Sequence, residues 1–533
     1  MSFQSFSLCT EVLRRSRAGV NFLIAAERRA YLDAILPTMR DWRGDYPNLR
    51  HIFHPDEIEL LLFESVTHEN NEHEFIKFAA LSGYRDEKVV YGDDGRPTSR
   101  RPTPVHAASK RHHNFVMVRD LFEIYDRRDI NYIDEAGLSH FHVACKTNLW
   151  FVVRSYLDRG LEHVNILEPE SVCPPLHLAL NRKYDTLIQL LIERGADPNL
   201  ANGEMFTPLH VVCGTEYADD ESSKIASLLF EQNAGKVSAV QPDPRDLQGN
   251  TPLHMALSWD KKKTAKLLLN EGADPNAASN DGRTALHAIC KSGRWNHKLI
   301  RLLYKYSKHE IRLEVRDESG RTPLQWAVAN LATESVRELL ERGARVDTFT
   351  FPTEDYFATT FERRPSGTKL EEVAGVLTIL ESLEAAGYLV QRVDALAVLN
   401  FFAKQDFYQP APDLGYIWSS CEKFENEAQW PIFKTASHYV PLPLYDVAQI
   451  EPAEAARRFR YKEYFEFATW APGLSALTPE HRDHCDQFLC ESLINRFCTY
   501  WEYVTVRIMA QIRADLERNR EIRGNEWIHE DEW

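Results

Sequence analysis

The sequence predicts an all-α solenoid: helix pairs stacked side by side and joined by protruding fingers. A helical cap precedes the stack and a helical region follows it. Three observations carry that prediction. A four-residue motif returns along the chain at near-constant spacing. The residues between its copies read as two helices and a turn. The chain has 533 residues, too many for one ordinary core unless it repeats itself.

The motif is Thr-Pro-Leu-His. Thr207-Pro208-Leu209-His210 and Thr251-Pro252-Leu253-His254 carry it in full. Thr103-Pro104-Val105-His106, Pro174-Pro175-Leu176-His177 and Thr284-Ala285-Leu286-His287 differ at one place. Ser139-His140-Phe141-His142 and Thr322-Pro323-Leu324-Gln325 are looser. Their first residues are 36, 35, 33, 44, 33 and 38 residues apart. A period of this size signals stacked supersecondary units, none of which buries its apolar face alone.

The unit that begins at Gly249 shows the local chemistry. Thr251 is placed to cap the first helix. Pro252 fits the first turn, where its missing donor costs nothing. Leu253 and Ala256 face the neighbouring unit, and the small Ala256 admits a second helix. That helix is predicted over 263–270, with Ala265, Leu267, Leu268 and Leu269 as its apolar part. Gly272 stands where helices end in a left-handed residue. Asp274-Pro275-Asn276 and Asn280-Asp281-Gly282 supply turn chemistry for a finger.

Gly249 to Ala256 spells GNTPLHMA, and GADPN occurs at Gly195 to Asn199 and again at Gly272 to Asn276. GRTALHAIC at Gly282 to Cys290, GRTPLQWAV at Gly320 to Val328 and LLERGARVD at Leu339 to Asp347 keep the frame. On these residues the chain resembles the ankyrin repeat family over about 97–348, some seven repeats with β-hairpin fingers. The resemblance implies that His106, His142, His177, His210, His254 and His287 tie adjacent fingers together rather than hold a metal. Cys145, Cys213 and Cys290 occupy one frame position and fit as small buried thiols.

The expected organisation is a helical region with a degenerate capping repeat at 1–96 and the stack at 97–348. A degenerate repeat and terminal cap follow at 349–402, an aromatic-rich helical region at 403–515 and a polar tail at 516–533. In the first region, 21–42 and 55–68 read as amphipathic helices. Glu74 to Gly83 looks like part of a repeat without its motif. The long interval after Thr207 places extra residues in two expected loops, 214–221 and 236–244. In the fourth region, 452–470 and a segment from Thr478 onward read as helices. Phe407, Tyr408, Tyr416, Trp418, Phe424, Trp430, Phe433 and Tyr439 crowd the part before them.

The segments 451–468 and 481–501 resemble the PRANC-type tail of parasitoid-wasp and poxviral ankyrin proteins. That resemblance implies docking on a ubiquitin-ligase adaptor. The chain departs from the pattern after Trp501, where no proline-led helical segment follows. His481, His484, Cys485, Cys490 and Cys498 do not have the close ligand pair of a structural zinc site, so helical packing is the expectation.

Formal net charge is −16, which argues against a broad nucleic-acid surface. No apolar run is long enough for a membrane span, and the scattered cysteines fit a reduced compartment. The expected location is the cytoplasm, with nuclear entry left open. The sequence lacks phosphate loops, HExxH, nucleophile elbows and Rossmann openings. A non-catalytic scaffold without cofactor or metal is therefore expected, with one or more proteins as partners. A ubiquitin-ligase adaptor is the alternative.

Core positions repeat their chemistry from unit to unit, whereas finger tips and first-helix ends do not. Leu247, Gln248, Asn250 and Trp259 fill such places in one unit, and Arg283, Lys291 and Trp295 in the next. Indoles flanked by cations make good anchors. The expected site is a protein-binding patch centred on Trp259, Arg283, Lys291 and Trp295, on a concave face of fingers and first helices. Packing of the two indoles under the long loops is the alternative.

Overall fold

The computed structural model describes residues 2–500 apart from 43–44, 68–72, 89–98, 111–114, 161–163, 168–172, 234–238, 293–296, 354–355, 358–367, 406, 408–425, 430–431, 434–441, 451–453, 456–457 and 470–472. It divides into two compact units, Met1–Met255 and Ala256–Trp533.

The first unit opens with α1 (Ser2–Arg17), α2 (Ala25–Arg40), α3 (Pro55–Thr67) and α4 (Glu74–Leu81). Helix pairs follow: α5 (Pro104–Ser109) with α6 (Phe115–Ile124), α7 (His140–Lys146) with α8 (Trp150–Leu157), α9 (Pro175–Asn181) with α10 (Asp185–Glu193), and α11 (Pro208–Gly214) with α12 (Asp219–Asn233). Next comes α13 (Pro252–Ser258). First helices pack on first helices in the order α3, α5, α7, α9, α11. Among second helices α4 packs on α6, and α8 and α12 flank α10. The pair α3–α4 therefore sits in repeat register although it lacks the motif. Its start is set by Pro55 in the first turn, with Asp56 and Glu57 at the positive end of the helix.

The second unit contains α14 (Lys262–Asn270), α15 (Ala285–Ser292), α16 (His297–Tyr306), α17 (Pro323–Ala329) and α18 (Thr333–Glu341). After them come α19 (Lys369–Ala385), α20 (Arg392–Lys404), a hairpin of β1 (Ile432–Phe433) and β2 (Leu442–Pro443), α21 (Leu444–Ala448), α22 (Tyr461–Thr469) and α23 (Pro479–Tyr500). Helix α19 packs against α18, α22 and α23. Its buried residues fall on every side, the consecutive Leu377, Thr378, Ile379 and Leu380 among them, as expected of a helix wrapped by neighbours. Asp486 of α23 reaches its N-terminus and accepts from the Lys369 and Leu370 N–H groups, each at 2.9 Å. Gly375 lets the helices close up: a Cβ there would stand 3.2 Å from Thr333 Oγ1 and 3.3 Å from the Phe465 ring.

Two local expectations are revised. Asp219, Asp220 and Glu221 form the first turn of α12 instead of a loop, because acids are favoured at the positive end of a helix. The helix expected over 452–470 is interrupted at Phe459 and Arg460. Phe459 is fully buried there, and the Glu463 carboxylate accepts from the Arg460 N–H at 2.8 Å to start α22 afresh. The fingers close in tight turns, and among the described residues β1 and β2 are the only named strands. Of the crowded aromatics, Phe407 packs on Phe401 and Phe402 of α20. Tyr408, Tyr416, Trp418, Phe424, Trp430 and Tyr439 lie outside the described residues, as does the Phe433 side chain.

Candidate protein-interaction site

The motif histidines bond the scaffold's own backbone. In five motifs the N-cap N–H donates to the histidine Nδ1: Thr103 to His106 at 3.0 Å, Ser139 to His142 at 3.4 Å, Thr207 to His210 at 3.1 Å, Thr251 to His254 at 3.2 Å and Thr284 to His287 at 3.1 Å. An Nδ1 that accepts puts the proton on Nε2. That nitrogen donates to a carbonyl of the next finger: His106 to Tyr132, His142 to Ile166, His177 to Phe206, His210 to Asn250 and His287 to Arg321. Gln325 makes the same pair of bonds, accepting from the Thr322 N–H at 2.8 Å and donating to the Thr350 carbonyl at 3.0 Å. Burial disfavours the charged ring, so His106, His210 and His287 titrate below the ordinary histidine value and His177 is lowered to about 4. Burial likewise pushes the Cys145 and Cys290 thiols up and keeps them neutral.

A second clip between units went unnoticed in the sequence. The asparagine of each GADPN stretch bonds the backbone of the next finger in both directions. Asn199 Nδ2 donates to the Ala239 carbonyl and its Oδ1 accepts from the Gln241 N–H, both at 2.8 Å. Asn276 repeats this with Glu310 at 2.7 Å and Arg312 at 2.8 Å. A primary amide is the side chain that both donates and accepts as a peptide group does. The period of GADPN was the signal that could have found it.

The finger turns share one geometry. Asp246 N–H donates to the Asn250 carbonyl, Ser279 to Arg283 and Asp317 to Arg321, at 3.0, 2.8 and 3.0 Å. A glycine at positive φ stands before each closing residue: Gly249, Gly282 and Gly320. This is a type I turn closed by a left-handed residue. The closing residue thus has a fixed backbone and an outward side chain.

Arg283 and Arg321 are two such closing residues in neighbouring fingers. Both guanidinium groups lie over the ring of Trp326 on α17, at 5.6 and 5.1 Å from its centroid. Lys291, near the end of α15, brings its Nζ to 5.8 Å from the same ring. Arg321 also stacks on Tyr356 at 3.9 Å, and the Trp326 and Tyr356 rings are 6.4 Å apart. The Trp326 Nε1–H donates to Asp317 at 2.8 Å. Asp281 pairs with Arg283 at 2.7 Å. Among the described residues no carboxylate pairs with Arg321 or Lys291. Burial first, and Arg283 second, lower the Lys291 ammonium pKa. Glu354 and Asp355, next to Tyr356 in sequence, lie outside the described residues.

The sequence-predicted residues fall into separate groups. Arg283 and Lys291 meet, but on Trp326 rather than on Trp259. Trp259 is 53% exposed in the turn before α14, just ahead of Asp260 at φ 53°. Trp295 lies outside the described residues. Leu247, Gln248 and Asn250 belong to the first unit. Leu247 and Gln248 are exposed on their finger, whereas Asn250 is held by Asp246 through its N–H at 2.7 Å and its Nδ2 at 3.1 Å. Sequence reasoning missed Trp326, Arg321 and Tyr356. The available signal was a tryptophan one place after the motif, where other units carry Ala107, Val143, Leu178, Val211, Met255 and Ala288.

The candidate zinc residues all lie on α23. His481 bonds Glu427 at 2.8 Å, and Cys485 and Cys490 are buried on α23. The Cys498 side chain is outside the described residues. A cleft of about 240 Å³ between α18, α19 and α22 is lined by Glu334, Arg337, Glu381, Arg460, Lys462 and Glu466 among others. Within it Arg337 pairs with Glu334, and Lys462 with Glu466 at 3.7 Å.

The family description "Ankyrin repeats (3 copies)" matches residues 176–279 and 274–350. Human Rabankyrin-5 is 31% identical over 178 residues, 33% of this chain and 14% of that protein. Human Ankyrin repeat and SOCS box protein 16 is 32% identical over 203 residues, 36% of this chain and 40% of that protein. The chain thus spans less than half the length of either relative. The crystal structure of the ankyrin repeat domain of Bcl-3 aligns over 40% of this chain and 90% of that one, with 24% identity and a TM-score of 0.35. The periodic motif and the histidine bonding run through the same residues, 176–350, that match the ankyrin repeat family description.

Proposed function

We propose that the chain is a non-catalytic protein-interaction scaffold that binds a partner on the face made by fingers and first helices. The observation that carries this reading is the Trp326 cluster. Three cations from two fingers and a first helix surround a half-buried indole, and large aromatics beside arginines dominate binding hot spots. Trp259, Arg283 and Lys291 belong to the proposed contact surface of the second unit. Leu247, Gln248 and Asn250 are proposed as a finger contact of the first. The scaffold works without cofactor or metal, in the cytoplasm, with nuclear entry left open. The organisation into 1–96, 97–348, 349–402, 403–515 and 516–533 is part of the same reading.

The test is a photo-crosslinking amino acid placed in turn at Gln248, Lys291 and Lys266. Lys266 lies on the second helix α14. Partner proteins should crosslink from the first two positions and not from the third. Equal crosslinking from Lys266 would refute the choice of face.

A second reading is a substrate adaptor that recruits a ubiquitin ligase through its C-terminal region. In its favour, one relative joins ankyrin repeats to a SOCS box. The packing of α22 and α23 on α19 favours a structural part for that region. Loss of a ligase component from pull-downs on truncation after residue 400 would select the adaptor.

A further inference from the structure

The geometry points to an acidic segment of a partner protein as what the Trp326 cluster binds, with Arg321 and Lys291 receiving its carboxylates. This rests on the finger and first-helix face being the interaction surface. Among the described residues the cluster holds three cations, Arg283, Lys291 and Arg321, and two acids, Asp281 and Asp317. Both acids are already committed. Asp281 takes Arg283, and Asp317 accepts from the Trp326 indole at 2.8 Å and the Arg321 backbone N–H at 2.9 Å. Arg321 and Lys291 remain as cations with no carboxylate among the described residues.

Arg321 is built for this use. Its guanidinium is fixed against Tyr356 at 3.9 Å and Trp326 at 5.1 Å. Stacking occupies the face of the group and leaves its in-plane N–H donors, which suit a carboxylate bidentately. Little side-chain entropy remains to be lost on binding. Lys291 adds a second charge at the same ring, so a short segment with two acidic residues can meet both.

The observations favour an acidic protein segment over a nucleic acid. A long polyanion meets a chain of net charge −16 and is repelled by it at range. A short acidic segment senses mainly the local cations, because exposed charges beyond about 8 Å are screened at physiological salt.

The experiment is a fluorescence-anisotropy titration of the full chain with three labelled peptides of equal length, rich in Glu and Asp, in Gln and Asn, or in Lys. A DNA oligonucleotide is the fourth probe. The acidic peptide should bind, and more weakly as salt rises. Arg321→Gln and Lys291→Gln should each weaken it about tenfold or more. Lys291 is exposed, so its substitution tests the idea even if Arg321→Gln lowers stability. Equal binding of acidic and amide peptides overturns the inference, as does tighter binding of the oligonucleotide or no loss in Lys291→Gln. None of these results touches the crosslinking pattern, which tests the face separately.

Discussion

Replacing Pro174 by threonine should stabilise the protein. Elsewhere in the stack the motif histidine Nδ1 receives both the N-cap N–H and the N-cap hydroxyl. The hydroxyl distances are 3.0 Å from Thr103 to His106, 2.8 Å from Ser139 to His142, 3.0 Å from Thr207 to His210 and 2.9 Å from Thr284 to His287. Proline has neither donor, and His177 Nδ1 is buried without a hydrogen-bond partner. A buried unsatisfied polar group costs about 1–3 kcal/mol. The backbone at Pro174, φ −65° and ψ 152°, is open to threonine. Losing proline costs about 0.4–1 kcal/mol through the freer unfolded chain. The balance is a gain of about 0.5–2 kcal/mol. The assay is urea unfolding of Pro174→Ala and Pro174→Thr beside the wild type. Alanine restores the N–H alone, and threonine restores both donors. The expected order of stability is threonine above alanine. A threonine variant no more stable than alanine, with both below wild type, would show that the Nδ1 bonds carry no net energy.

Four further outcomes follow from the same structure. Gly282→Ala should cost about 2–4 kcal/mol, because φ is +73° and the new Cβ would stand 3.1 Å from Asp317 Cα. Gly320→Ala, with the same φ and open space, should cost only about 1–2 kcal/mol, and equal midpoints for the pair would remove the close approach of the fingers. Leu253 and Leu268 are fully buried, so alanine at either should lower stability by about 2–4 kcal/mol; unchanged denaturant midpoints would contradict the register. Asp486→Ala removes the acceptor of two N–H groups of α19 and should cost about 1–3 kcal/mol, visible as faster hydrogen exchange at Lys369 and Leu370. Acid should destabilise the stack early. The His177 value of about 4 lies below its ordinary 6.5, so its contribution is complete above pH 6.5 and declines as pH falls toward 4. At pH 5 the loss from this residue is about 2 kcal/mol, and a midpoint unchanged between pH 7 and pH 5 would refute it.

The stack was legible because its information is periodic. Thr251, Pro252, Leu253 and Gly272 each have a local reason for their place, and the period multiplies that reason. The Asn276 clip was not legible in the same way. Its partners, Glu310 and Arg312, lie one unit further on, and Asn276 by itself reads as a turn residue. The break at Phe459 and Arg460 escaped because helical composition continues through it; burial of Phe459 and the Glu463 cap are tertiary facts. For the site, Arg283 and Lys291 stood out as variable cations. Trp326 did not, because GRTPLQWAV reads as frame, and Tyr356 lies beyond the clear period.

Arg321 shows how one residue serves both stack and site. Its carbonyl accepts from His287 Nε2 at 3.1 Å and from the Asp317 N–H at 3.0 Å. Its N–H donates to the Asp317 carboxylate at 2.9 Å. The main-chain polarity of the residue is therefore spent on the scaffold, one bond tying it to the preceding repeat and two closing its own turn. The side chain takes no part in those bonds and lies on aromatic rings at the surface instead. The backbone demands depend on the glycine before the residue and the aspartate four places earlier, not on its own side chain. A finger-closing position can therefore change its recognition chemistry while the stack keeps its bonds. Arg283 has the same turn geometry one unit earlier, and its guanidinium converges on the same indole. The scaffold fixes where such side chains stand, and the sequence at these positions decides what they recognise.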